Sequence, residues 1–276
     1  MNWFKLNLLM VLGCFTVFPP SAVAEQPNVL LIVCDDLNTH VSTSGYPHIH
    51  TPAFDELASE GMTFRRAYCQ YPVCGPSRAS FLHGLYPQST GVLDNKLDIR
   101  QVRPGTVSMP QCFKNAGYWT GSVGKVFHNE KIDPGEIAWD QDLRFENDEL
   151  PVVTEARKKF EAENGSVDLQ KNRKAWRILE KKAKATLDAQ TPPGYGPSGL
   201  SDAQHKDGKN ARQVVKWLAE KSYGDKPFFM ACGIQKPHVP FLAPQKYFDL
   251  YPTSGIAYKP DPGNLWETLP KRAMNT

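Results

Sequence analysis

No stretch of this sequence offers the roughly 20 apolar residues that a helix needs to cross a bilayer. The apolar run from Leu6 to Phe18 is too short, follows Lys5 and precedes the small-x-small triplet Ala22-Val23-Ala24. That order reads as a secretory signal over residues 1–24, so export is expected, to a periplasm or the medium, or to a lysosome only in a eukaryote. Val11-Leu12-Gly13-Cys14 faintly resembles a lipoprotein cleavage box that would lipidate Cys14, although a second good cleavage site follows it. There is no block of basic residues and the net charge is only +3, which argues against nucleic acid as a partner. No Cys/His spacing fits a closed zinc site. Cysteine itself is scarce. Past residue 24 the chain keeps Cys34, Cys69, Cys74, Cys112 and Cys232, and an odd number in an oxidising compartment leaves at least one unpaired or chemically converted. Cys34 and Cys232 lie in apolar runs and read as buried small hydrophobes, whereas Cys69 could pair with Cys74.

What is present is an alternation. Asn28 to Cys34 is a continuous apolar run of the kind buried on both faces of a sheet, and it ends in Asp35-Asp36. Thr51-Pro52 opens a helix that Gly61 stops, with Phe54, Leu57 and Ala58 expected inward, and Met62 to Tyr68 reads as a short strand. A second helix over Thr106–Ala116, closed by Gly117, precedes a strand over Tyr118–Val123 and then Gly124-Lys125-Val126-Phe127-His128. A helix over about Ala203–Lys221, with Ala211, Val214, Val215 and Leu218 on its apolar face, leads to the strand Pro227–Cys232 and to Gln235-Lys236-Pro237-His238. Strand, polar loop and helix in repetition predict an α/β sandwich on a largely parallel central sheet. The interval from about 139 to 199 breaks the pattern. It is highly charged, promises surface helices between Glu155 and Ala189, and is expected as an insertion over the ligand end of the sheet.

The stretch that organises the rest is Cys74-Gly75-Pro76-Ser77-Arg78. Pro76 suits the first turn of a helix and Gly84 is placed to end it, so Cys74 sits where free amides and the dipole stabilise an anion. A buried structural cysteine beside a turn is the plainer alternative. The Cys-x-Pro-Ser-Arg pattern resembles the signature of the type I sulfatases, whose cysteine is oxidised to formylglycine by a dedicated maturation enzyme. The longer match is similar to the iduronate-2-sulfatase branch, through Asp35-Asp36-Leu37, Val73 to Arg78, Gly124 to His128, and Lys236-Pro237-His238-Val239-Pro240-Phe241.

The resemblance implies an alkaline-phosphatase-like fold and a sulfated carbohydrate substrate. It implies Ca2+, with Mg2+ as the alternative, held by Asp35, Asp36 and the converted Cys74. Arg78 would then orient the nucleophile, Lys125 contact the sulfate, His128 act as the base, and Lys236 and His238 face the leaving group. Read alone, adjacent acids after a strand also serve merely to solubilise a loop. His48, His50, His83 and His205 carry a structural reading. Family members have a second acidic cluster and a further lysine downstream of the Lys-Pro-His loop, and this chain reaches Thr276 without them. The resemblance therefore covers an N-terminal half, residues 25–276, with the fold expected to be incomplete at its C-terminus. Two carboxylates also fall short of the six to eight oxygens calcium takes, and are expected to raise each other's pKa. A phosphoester or phosphonate-ester hydrolase of the same superfamily and a non-catalytic glycan-binding remnant are the alternatives.

Overall fold

The computed structural model describes residues 26–185, 194–256 and 260–270. Residues 1–24, expected as an export signal, and Cys14 among them, lie outside the described residues. In chain order the elements are β1 (Val29–Asp35), α1 (Pro52–Glu60), α2 (Cys74–His83), α3 (Pro87–Thr90), α4 (Ile99–Val102), α5 (Met109–Asn115), β2 (Trp119–Gly124) and β3 (Gln141–Leu143). They continue with α6 (Pro151–Asn164), α7 (Arg173–Ala185), β4 (Tyr195–Pro197), α8 (Lys206–Ala219), β5 (Phe228–Pro237), β6 (Phe241–Ala243), α9 (Gln245–Asp249) and α10 (Leu265–Thr268).

The continuous apolar runs form the expected parallel sheet, in the order β1-β5-β2-β3, with every pairing parallel. All of β2 and the first six residues of β5 are buried, because helices cover both faces. On one face Leu82 of α2 and Phe113 of α5 pack on Phe229 and Ala231, with the Phe113 and Phe229 rings stacked at 4.4 Å. On the other, Val214 and Trp217 of α8 pack on Met230, Cys232 and Trp119, the two indoles edge-on at 5.5 Å. Each such side chain stabilises the fold by about 1.5–3 kcal/mol. Because all four strands run the same way, the polar residues that follow β1, β2 and β5 emerge at one end of the sheet.

Four local expectations differ from what the chain does. Met62 to Tyr68 forms no strand: Met62, Phe64 and Tyr68 are exposed, and a β-prone pattern with no neighbour to pair with has nothing to hold it extended. The helix α1 forms as expected, but Leu57 is exposed, and Thr51 accepts from the Ser42 N–H at 3.0 Å instead of capping the helix. The buried face of α8 is Asn210, Val214 and Trp217, so Ala211, Val215 and Leu218 point outward. Asn210 turned inward because its amide donates to the Gly233 carbonyl at 2.9 Å, a long-range bond that apolar periodicity cannot register. Cys34 is half-buried, while Cys232 is buried as expected, and burial pushes the Cys232 thiol up to about 12.

Within the charged interval, Trp139 packs in the main core and β3 joins the sheet. From Pro151 onward α6 and α7 make a hairpin around their own apolar centre of Val153, Val167, Trp176 and Ala183. Asn172 donates to the carbonyls of Asn164, Gly165 and Ser166, which ties the turn together, and the Arg157 guanidinium lies 5.2 Å from the Trp176 ring centre.

Candidate active site

Asp35, the last residue of β1, is buried and is the hub of the site. Its Oδ1 receives Arg78 Nη2 at 3.1 Å and its Oδ2 receives Lys125 Nζ. Burial alone would raise the Asp35 pKa, but the hydrogen bonds and charges of Lys125 and Arg78 outweigh it and hold the carboxyl below its usual range. The expectation that its acidic neighbour raises the pKa of Asp35 is thus corrected. Arg78, also buried, spends its Nη1 on the carbonyls of Lys125 at 2.6 Å and Val126 at 2.7 Å. It therefore ties α2 to the end of β1 and to the segment after β2.

The approach of β2 to β5 depends on two glycines. A Cβ on Gly233 would overlap the Lys125 backbone, and one on Gly124, at φ +78°, would overlap the Asn210 amide. The segment that begins at Lys125 also carries His128. The Nδ1 of His128 is buried with no hydrogen-bond partner, and burial, then the charges of Lys125 and Arg78, push its pKa down.

The end of β5 brings the third group. Asp207, in the first turn of α8, accepts from the N–H groups of Gln235 and Lys236 at 2.8 and 2.9 Å. Lys236 Nζ donates to the His238 carbonyl at 3.1 Å and to that of Pro240, and burial lowers its pKa. His238 donates from Nδ1 to the Val239 carbonyl at 2.7 Å, leaving Nε2 at 3.8 Å from the Asp36 carboxylate.

Cys74 opens α2, as the Pro76 and Gly84 pattern predicts, with Gly84 at φ +63° returning its N–H to the Ser80 carbonyl. Its polar contact is with Asn95, whose Oδ1 lies 3.5 Å from the Cys74 sulfur and 2.8 Å from the Gly75 nitrogen. All five described cysteines are free, so Cys69 does not pair with Cys74. Sequence reasoning missed Asn95 and Asp207. For Asp207 the available signal was an acid in the first turn of a helix; for Asn95 no spacing pointed to it. His205, left as structural, does bond Ser198 Oγ at 2.7 Å.

Asp35 and Asp36 are hard oxygen donors of the type that Ca2+ and Mg2+ take. Among the described residues no group of three or more His, Cys, Asp or Glu is arranged to hold a metal ion, and both oxygens of Asp35 are engaged by cations. The donors fit a divalent cation in kind but not in number. Beside Lys125 a cavity of about 490 Å³ opens between the ends of β2, β3 and β5, and it is lined by Lys131, Arg144 and Lys206 and equally by Glu130, Glu146 and Asp207, so its charge is mixed.

The fold and site together define an α/β protein whose parallel strands end beside Asp35, the buried Arg78, Lys125 and a cysteine in the first turn of a helix. The sulfatase family profile matches residues 27–264, and the chain belongs to that family. It is 34% identical over 272 residues to a sulfatase of Formosa agariphila, an alignment covering 94% of this chain and 49% of that protein. It is 32% identical over 279 residues to the iduronate 2-sulfatase of Mus musculus, covering 99% of this chain and 47% of that protein. The chain thus spans about half the length of these relatives. Among solved structures, the phosphonate monoester hydrolase of Agrobacterium radiobacter superposes with a TM-score of 0.58 at 21% identity, over 84% of this chain and 45% of that one. Ps i-CgsB in complex with k-i-k-neocarrahexaose gives 0.57 at 21% identity, over 83% and 49%. At such identities the likeness is one of fold, the alkaline-phosphatase-like α/β sandwich.

Proposed function

We propose that the protein carrying this chain is a sulfuric ester hydrolase acting on sulfated sugars of the iduronate-2-sulfate kind, with Cys74 converted to formylglycine. The observation that carries the reading is the geometry around Arg78: one buried guanidinium joins the cysteine helix to Asp35 and to the Lys125–His128 segment. The similarity to iduronate 2-sulfatase over nearly the whole chain supports the substrate class. Sulfatases generally use formylglycine and a divalent cation. Formylglycine supplies a nucleophilic hydroxyl through its hydrated aldehyde.

A sulfate ester is anionic and repels nucleophiles, so basic groups must offset its charge. Lys125 stands where it can do this, held by Asp35 and free to exchange that partner for a sulfate oxygen. His128, with a depressed pKa, is neutral near pH 7 and suited to take a proton. Lys236 and His238 hang from a segment fixed by Asp207, on the side proposed for the departing alcohol. The cavity beside Lys125, lined by charged residues of both signs and by Asn129, Asn210 and Gln235, suits a polar, hydroxyl-bearing sugar. Asp35 and Asp36 are proposed as two ligands of a Ca2+ or Mg2+ ion. Residues 1–24 are proposed as an export signal, and the formylglycine-generating enzyme as a maturation partner; among the described residues no helix is long and apolar enough to cross a membrane.

The test is direct. The full protein, made in a host with the maturation enzyme, should yield a Cys74 peptide with the mass of formylglycine. It should also release sulfate from a 2-sulfated iduronate disaccharide faster than phosphate from an aryl phosphate or phosphonate. Phosphate release alone would overturn the sulfatase reading, and sulfate release with an unconverted Cys74 would overturn the nucleophile.

A further inference from the structure

The first turn of α2 lacks a capping side chain of its own. Val73 occupies the N-cap and has no oxygen to offer the free amides of the turn. Asn95, from a loop 20 residues beyond Gly75, supplies that oxygen: its Oδ1 accepts from the Gly75 N–H at 2.8 Å and from the Cys74 thiol at 3.5 Å. Both partners are donors, which fixes the amide orientation, since only the oxygen can serve them. The approach is close enough that a Cβ on Gly75 would stand 2.7 Å from Asn95 Oδ1.

The loop is braced so that Asn95 cannot drift. Asp94 Oδ1 accepts from the N–H groups of Lys96 and Leu97 at 2.7 and 3.1 Å, which folds the loop into a tight turn. Leu97 then packs on a cluster of Val92, Ile99 and Ala79, and Ala79 belongs to α2 itself. The same helix that begins with Cys74 thus receives the loop at two points.

We propose that Asn95 is the positioning residue for Cys74, aiming its side chain from the helix terminus both before and after conversion. The part concerning the converted residue rests on the reading of Cys74 given above. A group whose direction is set by one hydrogen bond loses reactive geometry when the bond goes, even if the site stays assembled.

The experiment compares wild type, Asn95→Ala and Asn95→Asp in the full protein. In protein made without the maturation enzyme, peptide-level mass spectrometry follows alkylation of Cys74 by iodoacetamide. Freed from its acceptor, the thiol of Asn95→Ala should react about 3- to 10-fold faster, while Asn95→Asp, which keeps an acceptor oxygen and adds a charge that disfavours the thiolate, should react no faster than wild type. In converted protein, kcat per formylglycine should fall about 10- to 100-fold in Asn95→Ala with KM within about threefold. Asn95→Asp should recover kcat but raise KM, because its charge repels an anionic ester.

An unchanged Cys74 alkylation rate in Asn95→Ala overturns the proposal, whatever the protein hydrolyses. So does an Asn95→Asp variant that regains thermal stability without regaining kcat, which would reduce Asn95 to a helix cap. A wild type that releases no sulfate, while the alkylation rates move as stated, would overturn the sulfatase reading and leave the assignment of Asn95 to the Cys74 thiol standing.

Discussion

Replacing Asp35 with Asn would leave Arg78 and Lys125 aimed at a neutral amide in a buried place. Removing one partner of a buried ion pair costs about 3–5 kcal/mol, and with Lys125 partly exposed the lower end applies here. Asp35→Asn should therefore unfold at lower urea, with a loss of about 3 kcal/mol at pH 7. The pH dependence has a definite sign. The folded pKa of Asp35 is lowered, so its contribution is present above the unfolded value near 3.8 and is lost as the pH falls through the folded value. Wild type should lose that stability in acid while Asp35→Asn shows no such component; parallel urea midpoints across the acid range would contradict this. For His128 the proposed role gives a kinetic expectation. His128→Ala should lose about 10²- to 10⁴-fold in turnover and accumulate a sulfated enzyme, with substrate capture less affected. Burial, then Lys125 and Arg78, depress its pKa, so the acid limb of kcat should fall below the ordinary histidine range near 6.5. An acid limb above that value, or a normal rate in the alanine variant, would return His128 to a structural role.

At the scale of elements, one tight constraint at the site is the meeting of β5 with the start of the Lys125 segment. A methyl group at Gly233 would overlap the backbone of Lys125, which no side-chain rotation can relieve. Gly233→Ala should destabilise by about 2–4 kcal/mol and also weaken sulfate-ester turnover, as read by denaturant unfolding and kcat/KM together. Wild-type stability in this variant would mean that the β2–β5 contact can slide. The elements themselves were largely legible. Runs such as Val29–Cys34 and Phe228–Cys232 have no polar interruption, so they read as strands, and Pro76 with Gly84 bounded α2 in the sequence. Phe228–Cys232 is buried as expected, whereas β1 lies at the sheet edge among the described residues and is not buried on both faces, with Leu30 and Ile32 exposed. What escaped was set by partners distant in sequence. Asn210 belongs to the buried face of α8 only because Gly233 offers a carbonyl, and Met62–Tyr68 reads as a strand only if a neighbour is assumed. The same holds for the site. Motif order brought Asp35, Arg78 and Lys125 into view, whereas Asn95 and Asp207 each act through two contacts made 20 or more residues away.

Among the described residues, apolar surface stands uncovered along one side of the molecule. β1 is an edge strand among the described residues, and Leu30 and Ile32 on it are 42% and 54% exposed. An open apolar edge of this kind favours association with other chains. Residues 26–270 prepared alone should bind a hydrophobic dye and elute larger than a monomer, and Ile32→Lys should reduce both effects. A monomeric, dye-silent preparation would show that the edge is protected in solution. The α6–α7 hairpin has the opposite character, since Val153, Phe160, Val167 and Trp176 face one another and not the sheet. Its amides should accordingly exchange with deuterated solvent as one cooperative unit, opening at a lower free energy than β2 and β5 and without disturbing them. The consequence is a built-in division of labour. The hairpin can breathe, be trimmed or be exchanged for another sequence while the strands that aim Asp35, Lys125 and Lys236 keep their register.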